Sequence, residues 1–105
     1  MSYRPKPPTT IKIGPIPFDV IKEPSENSGL MEYEDQRITL NDSMGLHCEL
    51  ETLLHESFHA MLTCIGKEEL SDNEGFVQAA SNALTALLIN NIDLIRYINE
   101  VARKA

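Results

Sequence analysis

The run Leu53-Leu54-His55-Glu56-Ser57-Phe58-His59-Ala60-Met61-Leu62 carries the form H-E-x-x-H at residues 55–59. Residues four apart on an α-helix lie one above the other on the same face. The imidazoles of His55 and His59 can therefore converge on one metal ion. Neutral imidazole binds zinc at about 2.0–2.1 Å. Glu56 follows the first histidine directly and falls beside the ion rather than on it. A carboxylate placed there can take the proton of a water attacking a carbonyl carbon. The motif thus supplies two ligands and a base, and leaves a third ligand to be found. With three histidines in 105 residues, a shuffled chain would show this pattern on the order of once in a hundred.

The surrounding residues are spaced as a helix. Leu46, Leu50, Leu53, Leu54, Phe58, Met61, Leu62 and Ile65 recur at three and four residues. That spacing predicts an amphipathic helix over roughly 44–65. Cys48, Thr52, His55, His59 and Thr63 form a second stripe beside the apolar one, as the wall of a half-buried cleft would. Asn41, Asp42 and Ser43 offer N-caps, and Gly66 offers the C-terminal stop. His47, two turns before His55, reads as a helix-surface residue. Asp42, Glu49 and Glu51 read as solvated charge of the first turn. Cys48 lies almost two turns from His55 and ranks low as a ligand. Cys48 and Cys64 would stand about 24 Å apart on one helix, far beyond disulfide reach. They read as reduced thiols of a cytoplasmic protein.

Upstream, the proline-rich, basic residues 1–9 read as a loose arm. Thr10-Ile11-Lys12-Ile13 alternates as a short strand, Gly14-Pro15-Ile16-Pro17 breaks or bends it, and residues 18–22 resume the extended pattern. Residues 23–29 form a loop by composition. Leu30–Tyr33 and Arg37–Leu40 flank Glu34-Asp35-Gln36 as a hairpin. Downstream, Lys67–Asp72 is a charged connection, and Asp72 or Asn73 can cap a second amphipathic helix over about 73–89. Ile92, Leu94, Ile95, Ile98, Val101 and Ala102 outline a third, shorter helix. Strands followed by helices give a single α+β domain spanning 1–105.

Composition removes several functions. A formal net charge of −7 with no basic cluster argues against a nucleic-acid partner. No apolar run approaches the length of a membrane span. Met-Ser-Tyr-Arg-Pro-Lys-Pro-Pro lacks the apolar stretch of a signal peptide. At 42% hydrophobic and 24% charged, the chain has the composition of an ordinary globular domain.

A zinc site with an open position needs three protein ligands, commonly two histidines and a glutamate. The second helix presents a polar stripe of Glu74, Gln78, Ser81 and Thr85, on which Glu74 is the only acid. Fifteen residues of chain separate it from His59, enough for a turn and an antiparallel return. Gln78, one turn later, is placed to bond a ligand histidine or a water at the metal. Glu68 and Glu69 are nearer in sequence but lie in the connection, and rank below Glu74.

These residues resemble a known family. Ile11-Lys12-Ile13-Gly14, Gly29, Arg37-Ile38-Thr39-Leu40, Thr52 through Ala60, and Asn73-Glu74-Gly75-Phe76-Val77-Gln78 through Asn91 are similar to small HExxH metallopeptidase-like proteins of phages and mobile elements. Those proteins are related to the ImmA/IrrE-like, gluzincin-type zinc peptidases. The resemblance implies a minimal zincin-like fold, a short antiparallel sheet of about three strands packed on the metal helix with two further helices. It implies one zinc per chain, a peptide or protein substrate, and peptide-bond hydrolysis with Glu56 as base. The strand near Arg37–Leu40 would be the edge along which an extended peptide is held. Relatives often carry a glutamate where Gln78 stands, followed four residues later by an asparagine, here Asn82. Either Glu74 completes the site with Gln78 behind it, or Gln78 occupies the ligand position. The rival expectations are a catalytically silent metal-binding or interaction protein of a mobile element, and a structural protein without metal.

Overall fold

The computed structural model describes residues 3–105. β1 (Thr10–Ile13) turns directly into β2 (Ile16–Glu23), with Ile13 opposite Ile16 and Ile11 opposite Phe18. Gly14 and Pro15 make the whole connection, so the second strand starts two residues earlier than the proline content implied. Gly14 has φ of 58°. A two-residue hairpin turn needs positive φ at its first central residue, and Pro15 holds φ negative at the second, which leaves the type II′ geometry. β3 (Gly29–Glu32) and β4 (Arg37–Asn41) form the expected hairpin. The Arg37 guanidinium clasps it by donating twice to Glu32 Oε1, at 2.9 and 3.1 Å.

The strands form one mixed sheet in the order β1-β2-β4-β3, with β2 and β4 parallel. It has one strand more than expected and is not wholly antiparallel. The loop after β2 carries the chain past the position of β4 before β3 begins, so β4 returns between β2 and β3. β4 is therefore interior, buried at Ile38, Thr39 and Leu40. The edge role expected of Arg37–Leu40 passes to β3.

Alternation along the strands puts Phe18, Val20 and Lys22, Ile38 and Leu40, and Gly29 and Met31 on one face. That face takes α1 (Leu46–Cys64), whose Leu53 and Ala60 join Ile13, Phe18, Val20, Ile38 and Leu40 in the core. Each large side chain buried there contributes about 1.5–3 kcal/mol. Glu49, expected as solvated charge, is 3% exposed on this inner side of α1. Its Oε1 lies 2.6 Å from Lys22 Nζ and 3.4 Å from Arg4 Nη2. A buried carboxylate needs such partners to offset lost hydration. Of the arm expected at 1–9, Met1 and Ser2 lie outside the described residues. Arg4 also donates to the Met44 carbonyl at 3.1 Å, and the Thr9 carbonyl accepts from Val20 N–H at 2.9 Å.

The N-cap of α1 is Gly45, with no side-chain cap. Asn41, Asp42 and Ser43 do not cap it, because Asn41 Oδ1 accepts from the Ser43 amide and hydroxyl instead, at 3.1 and 2.9 Å. The C-terminus ends as Gly66 predicts. Gly66 has φ of 78°, its N–H donates to Thr63 O, and Lys67 N–H donates to Leu62 O at 2.8 Å. This pair of bonds is the Schellman closure. The charged connection holds one helical turn, α2 (Glu68–Ser71). α3 (Glu74–Ile89) is capped by Asn73, which accepts from Phe76 N–H at 3.0 Å. α4 (Ile92–Lys104) has no buried residue, and among the described helices and strands it touches only α3. Among the described residues no helix is long and apolar enough to cross a membrane.

Gly29 sets how closely the sheet and α1 approach. A Cβ there would lie 2.5 Å from Thr52 Cγ2, 3.2 Å from Glu56 Cγ and 3.3 Å from the Thr39 carbonyl. Gly29→Ala should therefore lower stability by about 1–3 kcal/mol. Thr52→Ser, which deletes that methyl carbon, should recover at least part of the loss in the double variant. Urea denaturation of the two single variants and the double variant reads this non-additivity.

Candidate metal centre

One face of α1 is spent on the sheet, and helical periodicity turns His55 and His59 to another, where α3 passes. The Schellman turn at Gly66 reverses the chain, α2 spaces it, and the Asn73 cap starts α3 with Glu74 in its first turn. Glu74 Oε1 then lies 2.6 Å from His59 Nε2 and 3.2 Å from His55 Nε2. The two rings stand 4.9 Å apart at 75°. The ligand-type atoms of all three residues lie within 4.8 Å of one another. The histidine side chains are 14% and 15% exposed and the Glu74 side chain 69%. The site is a pair of sheltered imidazoles closed by an exposed carboxylate at the surface.

The other ring nitrogens are held by serines. Ser81 Oγ is fully buried and gives its proton to the Val77 carbonyl at 2.7 Å. It can only accept from His55 Nδ1, 3.4 Å away. Ser71 Oγ lies 3.0 Å from His59 Nδ1 and 3.4 Å from the His59 carbonyl, and donation to that carbonyl leaves it an acceptor toward Nδ1. Ser81 thereby places the His55 proton on Nδ1, and Ser71 does the same for His59 when its hydroxyl donates to the carbonyl. Their Nε2 lone pairs then face a carboxylate oxygen. In that tautomer the three acceptors aimed at one point repel one another unless a proton or a metal cation lies among them. Around a tetrahedral zinc, ligand atoms stand about 3.3 Å apart given the usual bond lengths. The 3.2 Å separation from His55 is close to that, and the 2.6 Å separation from His59 is about 0.7 Å shorter, a gap that the exposed Glu74 side chain has room to open. The residues fit a zinc ion.

Glu56 stands beside this group, half-buried. Burial pushes its carboxyl above the ordinary carboxylate range and the Glu74 charge adds to the rise, against the opposing pull of His55 and His59. A carboxylate moved upward in this way is a better proton acceptor near neutral pH. Next to it opens a cleft of about 380 Å³ lined by Ser28, Gly29, Thr52, His55, Glu56 and Gln78. Its strand wall is the beginning of β3.

No family model, curated protein or solved structure matches this chain. What the centre can do rests on its own geometry.

The structure brings His55, His59 and Glu74 together, with Glu56 adjacent. Gln78 lines the cleft, and its amide donates to Asn82 Oδ1 at 2.9 Å along α3. Glu68 and Glu69 sit on α2, outside the group. His47 pairs with Glu51 at 2.9 Å on the helix surface, and the exposed Cys48 is not in the group. Thr85 donates to the Ser81 carbonyl and is a packing residue. Ser71 is the position that sequence reasoning passed over. It lies in a charged connection with no periodicity to single it out, whereas Ser81 stands on the same polar stripe as Glu74.

The raised Glu56 carboxyl has a consequence for stability in metal-free protein. The folded chain holds that proton to higher pH than the unfolded chain, where glutamate titrates near about 4.3. Below that pH both states are protonated and nothing is lost. As pH rises through the folded value, the penalty of burying a carboxylate comes fully into force. Glu56→Gln should thus raise Tm by about 2–6 °C at pH 7–8 and leave it unchanged at about pH 3.5. Calorimetry in chelator at the two pH values checks both the effect and its sign.

Proposed function

We propose that this chain is a zinc-dependent peptidase-like protein of the cytoplasm, of the small HExxH kind carried by phages and mobile elements. The observation that carries the reading is the convergence of His55, His59 and Glu74 with Glu56 alongside. His55 Nε2, His59 Nε2 and Glu74 would hold one zinc, whose part would be Lewis-acid chemistry toward a carbonyl. Ser71 and Ser81 fix the ring orientations, which is how partners behind metal ligands raise affinity. Glu56 accepts the proton from an attacking water and passes it to the leaving amine. The free edge of β3 offers main-chain groups to an extended peptide, and it begins at Gly29, beside Glu56.

A second reading is metal binding without hydrolysis, in an interaction protein. The uncovered apolar residues of α3 and α4, among them Phe76, Leu87, Ile92 and Ile98, favour it.

Metal content per chain, measured on protein purified without chelator or affinity metal, tests the common premise. The expected result is about one zinc in the wild type and none in His59→Ala. Ser81→Ala should keep the metal but bind it about 10-fold or more weakly in a chelator competition. With zinc loaded, Glu56→Gln should slow cleavage of a responsive peptide at least about 100-fold while metal content stays the same. Zinc bound without cleavage over a broad peptide panel gives the second reading. No zinc taken up, even when added, rejects both.

A further inference from the structure

The part of the fold that nothing covers is α4. Ile92, Ile95, Ile98 and Val101 are 58, 39, 47 and 51% exposed. Leu94, Ile95, Ile98, Val101 and Ala102 recur at three and four residues and so lie on one stripe of the helix. A 13-residue helix standing free in water is at the margin of stability. The Cα radius of gyration of 14.1 Å exceeds the roughly 13 Å of a compact domain of this length, as a protruding helix requires.

A matching surface lies on α3. Val77, Ser81 and Thr85 are buried on its inner side, while Phe76, Ala79, Ala83 and Leu87 stay exposed on the outer side. These four and Ala80 form a stripe of the same period, three alanines between two large residues. Alanines let a second helix approach closely, and the branched side chains of α4 fill the spaces between them. Charge agrees with an antiparallel arrangement. Arg103 and Lys104 close α4, and Glu68, Glu69 and Asp72 precede α3, which itself carries no lysine or arginine. Yet α4 makes few contacts with its own α3, and Phe76 and Ala83 remain exposed, so it does not lie along that face within the chain.

We propose that two copies of this chain exchange α4, each helix lying antiparallel on the outer face of its partner's α3. Swapping an element about a short connection, here Asn90-Asn91, is a low-cost route to a two-fold dimer. A helix about 20 Å long and 10 Å across covers about 200 Å² of an equal face, so the two symmetric contacts bury about 800 Å² over both partners. That is the size of a weak, concentration-dependent interface rather than of the standard ones of about 1,200 Å² and more. An anionic bilayer is a poorer occupant of α4, because the net charge of −7 is repelled by it.

The test is sedimentation equilibrium of the full chain from low to high micromolar concentration. The wild type should be a dimer, with or without chelator, which keeps this inference separate from the metal reading. Ile98→Asp puts a charge at an exposed position of the monomer and a buried one of the dimer. It should raise the dimer dissociation constant at least about 100-fold and leave the circular dichroism unchanged. In a Cys48→Ser, Cys64→Ala background, mixing Ala83→Cys chains with Ile98→Cys chains should give a disulfide-linked heterodimer, since the two positions are equidistant from the connection. A wild type that stays monomeric overturns the proposal, whether or not it floats with anionic vesicles. So does a dimer indifferent to Ile98→Asp. A dimer broken by Ile98→Asp but giving no cross-link, or an Ala83→Cys/Ile98→Cys chain that closes its disulfide within itself, overturns the exchange.

Discussion

Burial of one side of α1 against Phe18, Ile38 and Leu40 is the interaction on which the rest of the molecule depends. It fixes the rotation of the helix about its own axis. Once Leu53 and Ala60 are committed to the core, the 100° step per residue leaves no freedom over where His55 and His59 face. The same rotation carries Glu49 inward to meet Lys22 and Arg4. That buried pairing discourages any slip of α1 along the sheet, because a shift of one turn would strand the carboxylate without a partner. The imidazoles are therefore positioned by hydrophobic packing on the far side of their own helix.

Around them, polar contacts supply what packing cannot. Ser71 and Ser81 are neutral and small, and each lies within donating distance of a main-chain carbonyl, 3.4 Å for Ser71 and 2.7 Å for Ser81. They engage the imidazole Nδ1 atoms without adding charge, so the negative charge of the centre is confined to Glu74 and Glu56. The two carboxylates differ sharply in surroundings. Glu74 lies open to water, where its charge is well hydrated. Glu56 is half-buried beside Gly29, and its charge is disfavoured. One is suited to hold a cation and the other to exchange a proton, and the difference comes from burial alone.

The sequence disclosed those parts of the molecule whose signal is periodic or local. The histidine helix, a cap at Asp72 or Asn73 (Asn73 in the fold), the Gly66 stop and the β3–β4 hairpin each rest on a few neighbouring residues, and each appears. The α+β class followed from the order of such segments. The parallel β2–β4 pair did not, because strand order depends on where a featureless loop carries the chain. The burial of Glu49 was hidden for a related reason. A glutamate in a first turn reads as solvated until the strand bearing Lys22 is seen to pass over it. The grouping of Glu74 with the histidines was legible as an acid on the right stripe at a workable distance. Ser71 left no trace, since a single serine among charged residues carries no pattern.

The reversal at Gly66 bears on how the centre behaves in time. His55, His59, Ser71, Glu74 and Ser81 all fall within a helix–turn–helix of about thirty residues, whose ends meet at small loop-closure entropy. The sheet, by contrast, joins strands through a crossover and needs the whole first half of the chain. Within that helix–turn–helix α1 is tied to the sheet, whereas α3 rests on helices alone and touches no strand. Displacing α3 would part Glu74 and Ser81 from the imidazoles together while leaving the contacts of α1 with the sheet in place.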